Sequence, residues 1–140
     1  PKIDVRCVIF NDRDQILMVK ERVDSCWSLP GGWCDVGYSP TEVAEKEAFE
    51  EAGIHVTAGR LLALFDKKCH PHPEDLFYTY KIFMECIPEN LEVATGMETL
   101  DVGFFGQDQL PPLSTPRNTR DQIDRMFDFR YRRVEWPIVD

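Results

Sequence analysis

Gly31-Gly32-Trp33-Cys34-Asp35-Val36-Gly37-Tyr38-Ser39-Pro40-Thr41-Glu42-Val43-Ala44-Glu45-Lys46-Glu47-Ala48-Phe49-Glu50-Glu51-Ala52-Gly53, with Ile54 directly after, reads as a glycine-rich loop running into a helix. Ser39 is a good N-cap, Pro40 suits the first helical position, and Glu42, three residues after Ser39, completes a capping box. Gly53 is a natural stop. Ala44, Ala48 and Ala52 recur at i, i+4 and i+8, so the helix can lie close against a sheet. Glu47, Glu50 and Glu51 fall within two turns of the same helix, and residues three or four apart share a face. Crowded carboxylates are costly unless something neutralises them, and a hard divalent cation such as Mg²⁺ suits oxygen ligands. A glycine loop ahead of the cluster can bring backbone N–H groups up to a phosphate. The combination points to metal-assisted hydrolysis of a phosphoanhydride. Charge runs are more often solvated faces. Glu42 and Glu45 fit that plainer description; the loop and cap favour a site for the other three.

The stretch resembles the Nudix box, G-x5-E-x7-R-E-U-x-E-E-x-G-U, where U is a bulky apolar residue. Gly32, Glu47, Glu50, Glu51, Gly53 and Ile54 match, with Ala48 in the first U position. Tyr38 replaces the first Glu of the pattern and Lys46 replaces the Arg. In the family those two form a structural ion pair that braces the loop. Tyr38 is neutral while Lys46 keeps the positive charge, and Lys46 can make a hydrogen bond or cation–π contact with Tyr38 instead. Asp35 to Ala44, Lys46-Glu47, Ala63 to Lys67, Leu113-Ser114 and Arg117 to Thr119 are similar to the bacterial CDP-choline pyrophosphatase subgroup, in which Tyr and Lys at the two departing positions are usual. Such proteins often carry an extra short N-terminal domain. This chain begins at Pro1 and enters an apolar strand within a few residues, and the expectation is a trimmed catalytic domain.

Length and charge agree with this. The 140 residues suffice for one domain with a real core, taken as a single Nudix domain over residues 1–140. A net charge of −9 argues against a surface that coats nucleic acid. No apolar run suits a membrane span and no secretory leader is read. Cys7, Cys26, Cys34, Cys69 and Cys86 are odd in number without paired spacing, which suits buried thiols in a reducing cytoplasm. Cys69-His70-Pro71-His72 faintly resembles a metal cluster, but two prolines and the lack of a second ligand pair read better as a loop.

Around the helix the chain reads as mixed α/β. Val5 to Phe10 and Gln15 to Lys20 form a hairpin about an Asn11–Asp14 turn. Leu61 to Lys67 and Val102 to Phe105 read as strands, and Leu76 to Ile87 as a long one. Pro88 to Thr99 and Leu110 to Pro116 are irregular. Thr119 to Arg133 is a closing amphipathic helix. The resemblance implies an α/β/α sandwich with a mixed sheet.

The resemblance assigns catalytic roles to Glu47, Glu50 and Glu51, and metal binding to the same three with the Gly32 carbonyl. Mg²⁺ is the expected ion, with Mn²⁺ as its substitute. Glu98, between a loop and a strand, is the outlying acid expected to help bind metal or orient water, with Asp101 its competitor. Arg6 and Arg22 are expected to clamp phosphate, Gly31 and Tyr38 to contact substrate, and Lys46 and Gly53 to be structural. Trp27, Phe65 and Tyr78 read as core, and His55 as structural. The implied reaction is hydrolysis of a nucleoside diphosphate linked to another group, CDP-choline first and ADP-ribose second. A house-cleaning triphosphate hydrolase and a non-catalytic ligand sensor are the alternatives. The expected partner is a small nucleotide, with no membrane and no nucleic acid; a second copy of the chain is the one macromolecule carried forward.

Overall fold

The computed structural model describes residues 1–140. In chain order the elements are β1 (Lys2–Val8), β2 (Ile16–Glu21), β3 (Trp27–Ser28), β4 (Gly31–Trp33), α1 (Pro40–Ala52), β5 (Val56–Asp66), β6 (Thr79–Pro88), β7 (Thr99–Phe105), α2 (Arg120–Arg130) and β8 (Ile138–Val139). A mixed five-stranded sheet runs β4-β1-β6-β5-β8, and an antiparallel three-stranded sheet runs β3-β2-β7. No helix is long and apolar enough to cross a membrane.

Period-2 side-chain alternation gives each central strand two buried faces. Val5 and Cys7 of β1 and Leu17 and Val19 of β2 pack with Val43, Ala44, Ala48 and Ala52 of α1. On the other side Val8, Ile16, Met18 and Phe83 pack with Ile123, Met126, Phe127 and Phe129 of α2. A helix on each side of the strands makes the α/β/α sandwich, and the alanine row of α1 meets the sheet as its spacing predicts. Both caps of α1 are also as read. Ser39 accepts from the Glu42 backbone N–H while the Glu42 carboxylate accepts from Ser39 N–H, and Gly53 is left-handed at φ 65°.

Several expectations change. The hairpin survives only at its tip, as the Phe10↔Ile16 bridge. Beyond it the strands diverge into different sheets, because β4 and β6 hold both edges of β1 while β3 and β7 hold both edges of β2. Gly31-Gly32 is strand rather than loop. It pairs antiparallel with β1, and a Cβ on Gly31 would lie 1.9 Å from the Val5 carbonyl oxygen. Glycine there permits a close strand approach rather than a turn. β5 starts at Val56, not Leu61, and carries register shifts between Ala58 and Ala63. β7 begins at Thr99 and β6 at Thr79; α2 stops at Arg130. Of the five free cysteines only Cys7 and Cys86 are buried.

Candidate active site

The helix cap and alanine row fix how α1 is rotated, and rotation sorts its glutamates. With 44/48/52 on the sheet, the neighbouring i, i+4 row of 47 and 51 runs along the border over β4, and the row of 42, 46 and 50 faces outward. Glu51 is buried and its Oε2 accepts from Gly31 N–H at 2.8 Å. Glu47 is partly buried against Gly32, where a Cβ would come within 3.1 Å of its carboxylate. Glu50 is exposed and its carboxylate lies 3.6 Å from Lys46 Nζ. Sequence spacing put all three on one face; the structure brings Glu47 and Glu51 together and sets Glu50 outside.

Glu47 and Glu51 border a cavity of about 400 Å³, which Asp4, Arg6, Glu21, Lys81 and Glu98 also line. Burial pushes the Glu51 carboxyl up to about 8, despite the opposing pull of Arg6; Glu21 and Glu47 repel its charge further. Burial also raises Glu47, against the attraction of Lys46. Glu21 is buried and accepts from Ser28 Oγ at 2.8 Å. Burial, the largest cause of both shifts, makes the charged forms of Glu47 and Glu51 costly here.

Arg6 lines the cavity with most of its donors already engaged. Its Nε and Nη2 donate to Asp4 at 3.1 and 2.7 Å, and its Nη1 donates to the Leu29 carbonyl at 3.0 Å. The fork that would clamp phosphate bidentately already holds Asp4. Arg22 is the second arginine expected at the phosphate. It is outside the cavity, donating from Nε to the Met97 carbonyl and from its backbone N–H to Glu98 O. It therefore fixes the turn that carries Glu98. Tyr38 also lies outside, about half exposed, with Lys46 Nζ 5.6 Å from its ring centre. That is the cation–π contact expected in place of the missing ion pair. Gly31 and Gly32 both line the cavity. Gly53 stops the helix and packs against Ala94. Asp101 points its Oδ1 at its neighbour Val102 N–H and does not line the cavity.

Asp4, Glu21, Lys67, Lys81 and Arg117 line the cavity without having been singled out. The signal was available for two of them. Asp4 and Lys81 interrupt apolar strands, and a charge inside a strand with two buried faces needs a partner. Of the supposed core aromatics, Phe65 is fully buried and Trp27 packs edge-on to Phe105 at 4.9 Å. Tyr78 is instead half exposed, donating to Asp66. His55 stacks on Phe49 at 4.7 Å, a structural role. His70 and His72 do not share a ligand. His70 faces Asp140, and His72 bridges the Thr115 carbonyl and the Gln122 amide.

A NUDIX domain model matches residues 1–127. YjhB of Bacillus subtilis (strain 168), whose name provisionally makes it an ADP-ribose pyrophosphatase, is 46% identical over 129 residues. That alignment takes in 92% of this chain but 62% of YjhB, so the chain spans less than two thirds of this relative. A crystal structure of an ADP-ribose pyrophosphatase from Streptococcus suis 89-1591 superposes with a TM-score of 0.89 at 38% identity, covering 100% of this chain and 99% of that one. A UDP-X diphosphatase also gives 0.89, at 35% identity, covering 100% of this chain and 67% of its own. With the domain match running through nearly all its length, the chain belongs to the NUDIX domain family.

Proposed function

We propose that the protein is a divalent-cation-dependent pyrophosphohydrolase. It cleaves a nucleoside diphosphate joined to a second group, releasing a nucleoside monophosphate and the phosphorylated second group. The observation that carries this reading is the pairing of Glu47 and Glu51 along one wall of a cavity whose floor holds buried Arg6 and Lys81. Carboxylates and cations facing a common space suit a ligand that is itself anionic and is brought in with a cation.

The donor set fits a hard divalent ion such as Mg²⁺ or Mn²⁺. Its oxygens are carboxylates whose negative charge burial makes costly, and Gly32 leaves the space beside Glu47 that a Cβ would occupy. No three acidic, imidazole or thiol groups form a closed cage. Glu47 and Glu51 would hold the ion with the Gly32 carbonyl, and exposed Glu50 is free to swing in from Lys46. Such an ion, when bound, polarises phosphoryl oxygens and acidifies water. The chain itself supplies the rest. Glu98 or one of the α1 glutamates accepts the proton of the attacking water. Gly31 N–H orients the Glu51 carboxylate, and Arg22 holds the turn that presents Glu98.

ADP-ribose is the leading substrate, supported by the names of two similar proteins. CDP-choline is the second, supported by the run from Asp35 to Lys46 and by the Tyr38–Lys46 contact. The deciding experiment assays the purified protein in ¹⁸O-water against ADP-ribose, CDP-choline, UDP-sugars and nucleoside triphosphates. We expect a nucleoside monophosphate from the first two, with label on phosphorus. Label on carbon, or rapid cleavage of triphosphates alone, would overturn the reading.

A further inference from the structure

The floor of the cavity has a chemistry that hydrolysis by the α1 glutamates leaves unused. The parallel register of β1 and β6 sets Asp4 opposite Lys81. Lys81 Nζ donates to Asp4 Oδ2 at 2.6 Å, the same oxygen that accepts from Arg6 Nε at 3.1 Å, while Oδ1 accepts from Arg6 Nη2 at 2.7 Å. Side-chain exposure is 5% or less for all three. One carboxylate thus serves two buried cations, and the group carries a net positive charge.

Its donors are not all engaged. An ammonium has three N–H bonds and a guanidinium five. Lys81 uses one, on Asp4; Arg6 uses three, on Asp4 and the Leu29 carbonyl. Two N–H bonds of each remain, and both residues line the cavity. Arg6 also feels Glu51 and Glu21, so its charge is shared with the acidic wall. Lys81 has Asp4 as its one ion-pair partner and is repelled by Arg6 and Lys67. Lys81 is therefore the less compensated of the two cations. Burial draws its pKa down to about 8, which still leaves it mostly charged at neutral pH. A buried charge with free donors is costly until an anion meets it. Thr79, from the same strand, also lines the cavity.

We infer that Lys81, braced by Asp4 and flanked by Arg6, is an anion seat that receives a non-bridging oxygen of a phosphoryl group. This rests on reading the cavity as a phosphoanhydride-hydrolase site. The diphosphate then lies between the α1 glutamates and Lys81, and the seat keeps hold of one phosphorylated product after cleavage. Asp4 is a positioning residue, since it contacts the cations and not the phosphate.

The test is equilibrium binding of inorganic phosphate, AMP and ribose 5-phosphate in EDTA, by calorimetry, for wild type, Lys81→Gln and Lys81→Met. Working in EDTA removes any contribution from bound divalent ions. Lys81→Gln keeps a donor for Asp4 and so guards against failure to fold; circular dichroism checks both variants. Wild type should bind at least one of the three. Both variants should lose about tenfold or more of that affinity, as for a buried charge-assisted hydrogen bond. In hydrolysis, KM should rise more than kcat falls, which a merely structural defect would not produce. No binding by wild type, or a smaller loss of affinity in folded variants, overturns the seat. Whichever product loses more affinity is the one whose phosphate occupies it. If wild type cuts no diphosphate yet binds phosphate through Lys81, the hydrolase reading falls and the seat stands. If hydrolysis is intact while the Lys81 variants bind normally, the seat alone falls.

Discussion

At Glu51 four influences meet: burial, the opposing pull of Arg6, the nearby charges of Glu21 and Glu47, and the N–H of Gly31. Burial and the two glutamates hold a proton on the carboxyl against Arg6; the Gly31 N–H fixes where its oxygen points. Glu51→Gln preserves shape and removes the charge. Turnover at saturating Mg²⁺ should fall by about a hundredfold or more for this variant and for Glu47→Gln, as expected for loss of a metal ligand or base. Steady-state assays check it, and near wild-type turnover in both would remove α1 from the chemistry. These two residues were legible in the sequence, because helical spacing and a capping box suffice to place them. Glu50 was legible as helical but not as outward-facing. That depends on which row the alanines bury, and it separates Glu50 from Glu51 by one position. Asp4 and Lys81 lie 77 residues apart and meet only through parallel pairing of β1 with β6, which no local pattern encodes.

Elements show the same division. Helix α1 could be read end to end because its signals are local: Ser39, Pro40, Glu42 and Gly53. Strand β4 could not, because two glycines in a row signal a turn unless a partner strand is known to press on them. In the structure that partner is β1. A Cβ on Gly31 would sit 1.9 Å from a backbone oxygen that has no room to yield, whereas Gly106 has no atom within 4 Å. Gly31→Ala should force β4 off β1 and cost about 3 kcal/mol or more, while also pulling the N–H away from Glu51. Gly106→Ala should change stability by about 1 kcal/mol or less. Urea unfolding of both variants measures this; equal effects would mean that β4 accommodates a side chain by a shift absent from this structure. The split hairpin has the same origin. The turn at Asn11–Asp14 is local, with Asn11 Oδ1 accepting from Arg13 and Gln15 N–H. Which sheet each arm joins is decided by β4, β6 and β7, all distant in sequence.

For the whole molecule, buried titratable groups couple the fold to pH. Glu51 titrates near 8 in the folded protein, against an ordinary value of 4.5. A raised folded pKa favours folding while the group is protonated, so this contribution is complete below about 4.5 and is lost as pH rises through 8. His72 runs the other way. Burial, with Lys81 and Lys67 nearby, lowers its pKa to about 4, although its bond to the Thr115 carbonyl opposes the shift. Its contribution is complete above about 6.5 and is lost as pH falls towards 4. Lys81, lowered to about 8 chiefly by burial, changes the balance only at higher pH. Between about 4.5 and 6.5 the Glu51 and His72 slopes oppose one another. Between 6.5 and 8 Glu51 acts alone among these three, and stability should fall by about 1.4 kcal/mol per pH unit at most. Thermal melts in EDTA at pH 6.5 and 8.0 should therefore give a lower Tm at the higher pH for wild type. Glu51→Gln has nothing to titrate there and should melt at nearly the same temperature at both. Parallel declines in the two proteins would place the titrating group elsewhere. A divalent cation added at pH 8 should restore the wild-type Tm and leave that of Glu51→Gln less changed, because the buried Glu51 carboxylate is one that such an ion would meet.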